Sequence, residues 1–194
     1  MVSPTNKITE NQIRKLVSES KNPLNPLNMV FTYVYVTNLV PLNWNDILFA
    51  IENNFLAHQT AIEHGLEAVQ KNENVPEEVL ELAFMLQGEA KLPYDVYQLV
   101  NKLATSHNPD NASDSREKFL YVSLNWVYEH KDDYCNPIEV VDILCDEINY
   151  PDEVKNLISF MPTSESETNS SDSTTERLLG RLLRYLENQR NRWA

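Results

Sequence analysis

Pro137-Ile138-Glu139-Val140 sets a pattern that the chain uses four times, the other three being Pro76-Glu77-Glu78-Val79, Pro93-Tyr94-Asp95-Val96 and Pro151-Asp152-Glu153-Val154. Each reads as a helix start. The first turn of a helix holds N–H groups with no partner, so a proline there gives up nothing. An acid in that turn meets the positive end of the helix dipole, and the valine opens the buried stripe. A chain punctuated this way is a stack of short helices.

The rest of the sequence extends the same reading. Residues 1–27 form a polar arm in which Ile13, Leu16 and Val17 begin a weak helix that Pro23 and Pro26 break. Met29 to Val36 has strand propensity, with Val30, Phe31, Tyr33, Val34, Tyr35 and Val36. No second run exists to pair with it and a lone strand is unstable, so it is read as helix with at most a trace of strand. Asn43 caps a helix bearing Trp44, Ile47, Leu48 and Ile51. The pair Asn53-Asn54 turns the chain, and a second helix carries Ile62, Leu66 and Val69. Helices follow from Pro76 to Gln87, closed by Gly88, and from Pro93 to Thr105, then a loop from Ser106 to Ser113. The helix from Ser115 to His130 is apolar nearly all round, with Phe119, Leu120, Val122, Leu124, Trp126 and Val127, which marks the centre of the core. Two more start at Pro137 and Pro151, the second stopping at Met161-Pro162.

The expected organisation is an N-terminal arm (1–27), a helical core (28–162), a Ser/Thr/Glu linker (163–175) and an amphipathic C-terminal helix (176–194). The linker has no apolar residue to anchor it. In the last helix Leu178, Leu179, Leu182, Leu183 and Leu186 make one stripe flanked by Arg177, Arg181 and Arg184, and docking back on the domain is the favoured fate of such a stripe. The fold class is therefore all-α, an irregular bundle of about eight to nine short helices.

Composition excludes several function classes. Three glycines, Gly65, Gly88 and Gly180, leave no phosphate-cradling loop. No apolar run approaches the roughly 20 residues of a membrane span, and no charged stretch leads into an apolar leader, so the expectation is a cytoplasmic protein. Cys135 and Cys145 read as reduced thiols, Cys145 within a helix among Ile143, Leu144 and Ile148. His58, His64, His107 and His130 fall at no ligand spacing, so neither metal nor cofactor is expected. Tyr33, Tyr35, Trp44 and Trp126 read as core rather than as the lining of a pocket.

Charge is the strongest compositional signal. The formal net charge is −13 and it is unevenly spread. Asp46 to Asp95 holds ten acids against two lysines, Glu129 to Glu153 nine acids against one lysine, and residues 176–194 five arginines against two glutamates. Such a body repels nucleic acid and anionic membrane and attracts basic proteins. Glu77, Glu78, Glu81, Asp132, Asp133, Asp142 and Asp146, at helix starts, loops and polar faces, are the candidate partner-binding residues. Asp142 and Asp146, with Glu139 and Glu147, also suggest an acid–base pair or a site for a divalent ion. They alternate with the apolar face, however, and so point to solvent, where a carboxylate keeps its ordinary acidity. No catalytic residue is assigned.

Two blocks carry a family resemblance: Leu42-Asn43-Trp44-Asn45-Asp46-Ile47-Leu48-Phe49-Ala50-Ile51-Glu52-Asn53-Asn54-Phe55-Leu56, and Glu117-Lys118-Phe119-Leu120-Tyr121 through Trp126-Val127-Tyr128-Glu129 to Tyr150-Pro151-Asp152-Glu153-Val154 and Phe160-Met161-Pro162. Over about residues 28 to 162 the chain resembles the bacterial family called domain of unknown function 2247. The resemblance implies an α-helical bacterial protein of the kind found among toxin immunity and other accessory proteins, and it transfers no active site. The expected function is thus a non-enzymatic immunity protein that neutralises a basic toxin domain. The alternatives are a helical adaptor or scaffold, and a carboxylate-dependent hydrolase around Asp142.

Overall fold

A computed structural model describes residues 7–71, 74–85, 93–106, 112–146 and 174–193. Within them the chain is all-α: α1 (Glu10–Glu19), α2 (Tyr33–Thr37), α3 (Trp44–Glu52), α4 (Gln59–Lys71), α5 (Glu77–Phe84), α6 (Pro93–Ser106), α7 (Ala112–Glu129), α8 (Pro137–Asp146) and α9 (Thr174–Trp193), with a 3-10 turn at Lys131–Asp133. The described residues contain no strand, only an isolated bridge between Ile8 and Tyr134. None of their helices is long and apolar enough to cross a membrane. The chain divides into two compact units, one formed by residues 29–119 and the other by residues 1–28 and 120–194, the boundary falling within α7.

In the 29–119 unit the start of α3 is fixed by a reciprocal capping box. The Asn43 side chain accepts from the Asp46 N–H (3.0 Å) and the Asp46 carboxylate accepts from the Asn43 N–H (2.9 Å). The same carboxylate is fully buried, accepting from the Ser115 hydroxyl and the Lys118 ammonium, each at 2.6 Å. An acid counted among the ten of the acidic 46–95 stretch is thus an internal anchor, because three donors converge on it. Around it Phe49, Phe55 and Phe119 stack, Phe55 and Phe119 with ring centroids 5.0 Å apart, and Phe31 lies against Phe55. Asn54, in the left-handed region at φ 57°, turns the chain after α3, as the Asn53-Asn54 pair predicts.

The remaining helices of this unit pack as α2 on α4, α4 on α5, α5 on α6 and α3 on α6. The approach of α4 to α5 is close at Gly65, where an added Cβ would lie 3.3 Å from both Ala83 N and Leu82 Cβ. That contact centres the buried face of α4 on Thr60, Ala61, Ile62 and Gly65. Leu66, expected on the buried stripe, falls at its edge and is exposed. Pro93 does begin α6, and Pro137 begins α8 in the other unit. Pro76 differs: it is the N-cap of α5 (φ −55°, ψ 153°), so the helix starts one residue later. α5 also ends at Phe84, short of Gln87, because Met85 is already extended (ψ 124°). Gly88, the helix expected from Pro151 and nearly all of the linker lie outside the described residues. Met29 to Val36 is not a strand: Thr32 caps α2, its hydroxyl accepting from Tyr35 N–H (3.3 Å).

In the second unit α1 buries Ile13 and is tied to the start of α8 by polar contacts. Arg14 Nε donates to Glu139 Oε1 (2.8 Å) and Asn136 Nδ2 to Glu10 Oε1 (3.1 Å). Ile8 N–H donates to the Asp133 carbonyl and Cys135 N–H to the Ile8 carbonyl. α8 packs on α9. α9 buries Leu178, Leu182, Tyr185, Leu186 and Gln189, spaced as one helical face, while Leu183 is exposed. Of the five leucines of the C-terminal stripe, Leu178, Leu182 and Leu186 are thus buried, Leu179 is half-buried and Leu183 is exposed. Both cysteines are free; burial pushes the Cys145 thiol up to about 12, and Cys135 is exposed.

Two stability outcomes follow from this packing. Lys118→Ala strands the buried Asp46 charge and should cost about 3–5 kcal/mol, read as a lower urea midpoint. Tyr121 is fully buried in α7 and its hydroxyl has no hydrogen-bond partner among the described residues. Tyr121→Phe removes a desolvated group without leaving a cavity, so the urea midpoint should hold or rise.

Candidate functional site

The seven candidate acids fall into two sets, one in each unit. Glu77, Glu78 and Glu81 lie on α5, whose buried side is Val79, Leu82 and Ala83. At 100° per residue Glu77, Leu80, Glu81 and Phe84 share the opposite face, and all four are exposed. Phe84 is 75% and Leu80 36% exposed, which makes this face a mixture of acid and apolar surface. Glu78 stands apart on the flank toward α6 and pairs with Lys102 at 2.5 Å. That hydrogen bond holds the Glu78 carboxyl below its ordinary range and the Lys102 ammonium above its own, and Glu77 and Glu81 raise Lys102 further. Glu78 is thus committed within the fold, whereas Glu77 and Glu81 make no ion pair with a described residue.

Asp132 and Asp133 are exposed in the 3-10 turn, and the Asp133 backbone carbonyl anchors Ile8. Asp142 is half-buried on α8, where its charge helps raise the Cys145 thiol. Asp146 is exposed at the last residue of that helix. Neither carboxylate is enclosed as an acid–base pair requires. Among the described residues no three His, Cys, Asp or Glu side chains are grouped so that they could hold a metal ion.

Sequence reasoning missed two features. The first is the exposure of Leu80 and Phe84. Their four-residue spacing looks like core, and only their phase against Val79, Leu82 and Ala83 places them outward. The second is a polar chain joining α2 to α4. The Tyr33 hydroxyl donates to Glu67 Oε2 (2.5 Å) and lies 2.9 Å from His64 Nδ1; since a phenol has one proton, Nδ1 carries the hydrogen of that second bond. Lys71 closes the chain on Glu67. The Trp44 ring meets the His64 ring edge-on at 4.6 Å between centroids. Hydrogen bonds from Lys71 and then Tyr33 hold Glu67 below its ordinary range, and burial, followed by the Glu67 bond, holds the Tyr33 phenol well above its own. Of the aromatic residues read as core, Tyr33 and Trp44 are buried. Tyr35 and Trp126 are half-buried, Trp126 stacking on His130 at 3.9 Å.

Burial lowers the His64 pKa below its ordinary 6.5. A folded-state pKa below the unfolded one means that the unfolded chain binds more protons, so the contribution of His64 is present above about pH 6.5 and lost as pH falls through the folded value. The melting temperature should therefore drop between about pH 7 and pH 5. His58 is shifted the same way by burial. His64→Gln isolates the effect: the pH dependence should flatten, whatever the variant's absolute stability.

Comparison with known proteins adds one finding. No curated protein and no solved structure matches the chain. A family model matches residues 33–190, a span that takes in α9 as well as the blocks that carry the resemblance. The chain belongs to the family of uncharacterized proteins conserved in bacteria, domain of unknown function 2247.

Proposed function

We propose that this bacterial protein is a non-enzymatic binding protein of the cytoplasm, an immunity protein that neutralises a basic toxin domain. The observation that carries the reading is acidic charge not spent on internal ion pairs. Glu77, Glu81, Asp132 and Asp133 are exposed, and none is paired with a cation among the described residues. Surface acids beyond what the fold uses destabilise the compact state by self-repulsion, and a basic partner relieves that cost. An inhibitor of an enzyme that cuts nucleic acid gains further, because carboxylates that imitate a phosphate field speed association and disfavour wrong partners. Asp142 is half-buried and Asp146 exposed, a setting that supports a binding role over a hydrolytic one.

The test is co-expression with any basic effector domain found encoded beside the gene. The wild-type chain should restore growth and form a complex that weakens as salt is added. Reversing Glu77, Glu81, Asp132 and Asp133 to lysine should slow association, cost on the order of 1 to 3 kcal/mol for each pair buried at the interface, and leave the urea midpoint nearly unchanged. Full protection by the reversed protein would remove the acidic surface from the interface. A stable complex without protection would favour an adaptor.

A further inference from the structure

The outward face of α5 combines two properties that surface helices ordinarily keep apart. Leu80 and Phe84, one turn apart, stand exposed, and Glu77 and Glu81 flank them on the same face. Phe84 is the most exposed of the large apolar side chains among the described residues. The helix behind this face is firmly seated, through Gly65 of α4 on one side and the Glu78–Lys102 pair on α6. Solubility alone would be served by acids without the phenylalanine, and core packing already uses Val79, Leu82 and Ala83.

Taking the protein-binding reading above as its footing, we infer that this face docks one kind of element, a cationic amphipathic helix of a partner protein. The partner's apolar side chains seat against Leu80 and Phe84, and its Lys or Arg residues reach Glu77 and Glu81. Charge complementarity sets the sign. Among the described residues Lys102 lies close enough to feel Glu77 and Glu81 but is hydrogen-bonded to Glu78, and the flanking carboxylates, which make no ion pair with a described residue, suit cations from a partner. The chain's own cationic amphipathic helix, α9, is a poor occupant, because Leu178, Leu182 and Leu186 of its stripe are already buried in the fold. A second copy would bring this acidic face against another molecule of net charge −13. An anionic membrane is repelled for the same reason.

The probe is a synthetic helix of about 18 residues, long enough to hold its shape on docking, with leucines at helical spacing and lysines elsewhere. Its comparator has the same lysines and serine for leucine. Each is titrated into the full chain at physiological salt by fluorescence anisotropy. The leucine–lysine helix should bind far more tightly than the comparator, and Phe84→Ser should weaken it about 30-fold, the scale of an interface anchor. Glu77→Lys with Glu81→Lys should weaken it and flatten its salt dependence, while Asp132→Lys with Asp133→Lys should leave it within about twofold. All these positions are exposed, so the variants keep the fold, as circular dichroism checks. Equal binding of the comparator, or unchanged affinity in Phe84→Ser, overturns the inference. So does a concentration-dependent dimer that Phe84→Ser dissolves, which assigns the face to a second copy. The same variant separates this inference from the immunity reading. Protection from the effector that survives Phe84→Ser defeats the docking face alone, whereas tight peptide binding without protection in cells supports the face and defeats immunity.

Discussion

A carboxylate with no exposure to water must be surrounded by donors, and Asp46 meets that constraint with three: the Asn43 N–H, the Ser115 hydroxyl and the Lys118 ammonium. Ser115 and Lys118 are three residues apart, adjacent on one face of α7, so only one rotation of that segment delivers both to a point. Asn43 and Asp46 are the two ends of the capping box that starts α3. One buried charge therefore fixes where one helix begins and how the next is turned. Taking both ions out of water offsets much of their attraction, and what the pair supplies is as much geometry as free energy. The aromatic stack of Phe49, Phe55 and Phe119 then has one way to close.

The same corner reaches into the polar chain of α2 and α4. Trp44 is the first residue of α3, and its position beside the His64 ring follows from where the capping box puts the helix start. Burial holds His64 neutral, and the Asp46 and Glu67 charges act in the opposite direction on the same ring. Desolvation, with Lys71 acting the same way, thus outweighs on His64 the pull of two carboxylates, one of which is itself the anchor of the unit. The Tyr33 hydroxyl, shared between His64 and Glu67, carries that balance to α2, a helix of only five residues that could not stand on its own hydrogen bonds.

What the sequence makes legible is local. Pro93, Pro137 and Asn43 mark helix starts because proline geometry and side-chain capping act within one turn, and the structure places helices at each. Pro76 is displaced by one position, since a proline's fixed φ suits the N-cap as well as the first helical residue. What depends on convergence was not legible. Nothing near Asp46 in sequence marks it as buried, because Ser115 and Lys118 arrive from far along the chain. Leu66 loses its place in the core because Gly65 sets the line of contact. For the candidate surface, exposed acids could be read from helical phase, but the commitment of Glu78 to Lys102 depends on a neighbouring helix. The outward turn of Phe84 required knowing which side of α5 faces α4.

Acid and apolar surface act at different stages of an encounter, which is why their coincidence on one face of α5 carries more weight than either alone. Carboxylates attract a basic partner over about 8 Å at physiological salt and raise the rate of productive collision. They contribute less once the complex forms, because each must give up its water to be paired. An exposed phenylalanine does the reverse. It exerts no force at a distance, yet once covered it slows departure by the water it no longer has to order. A surface carrying only acids would bind many basic proteins weakly, and one carrying only phenylalanine and leucine would risk self-association. On the docking inference, repulsion between copies bearing Glu77 and Glu81 would suppress the second outcome, while Leu80 and Phe84 would select among basic partners.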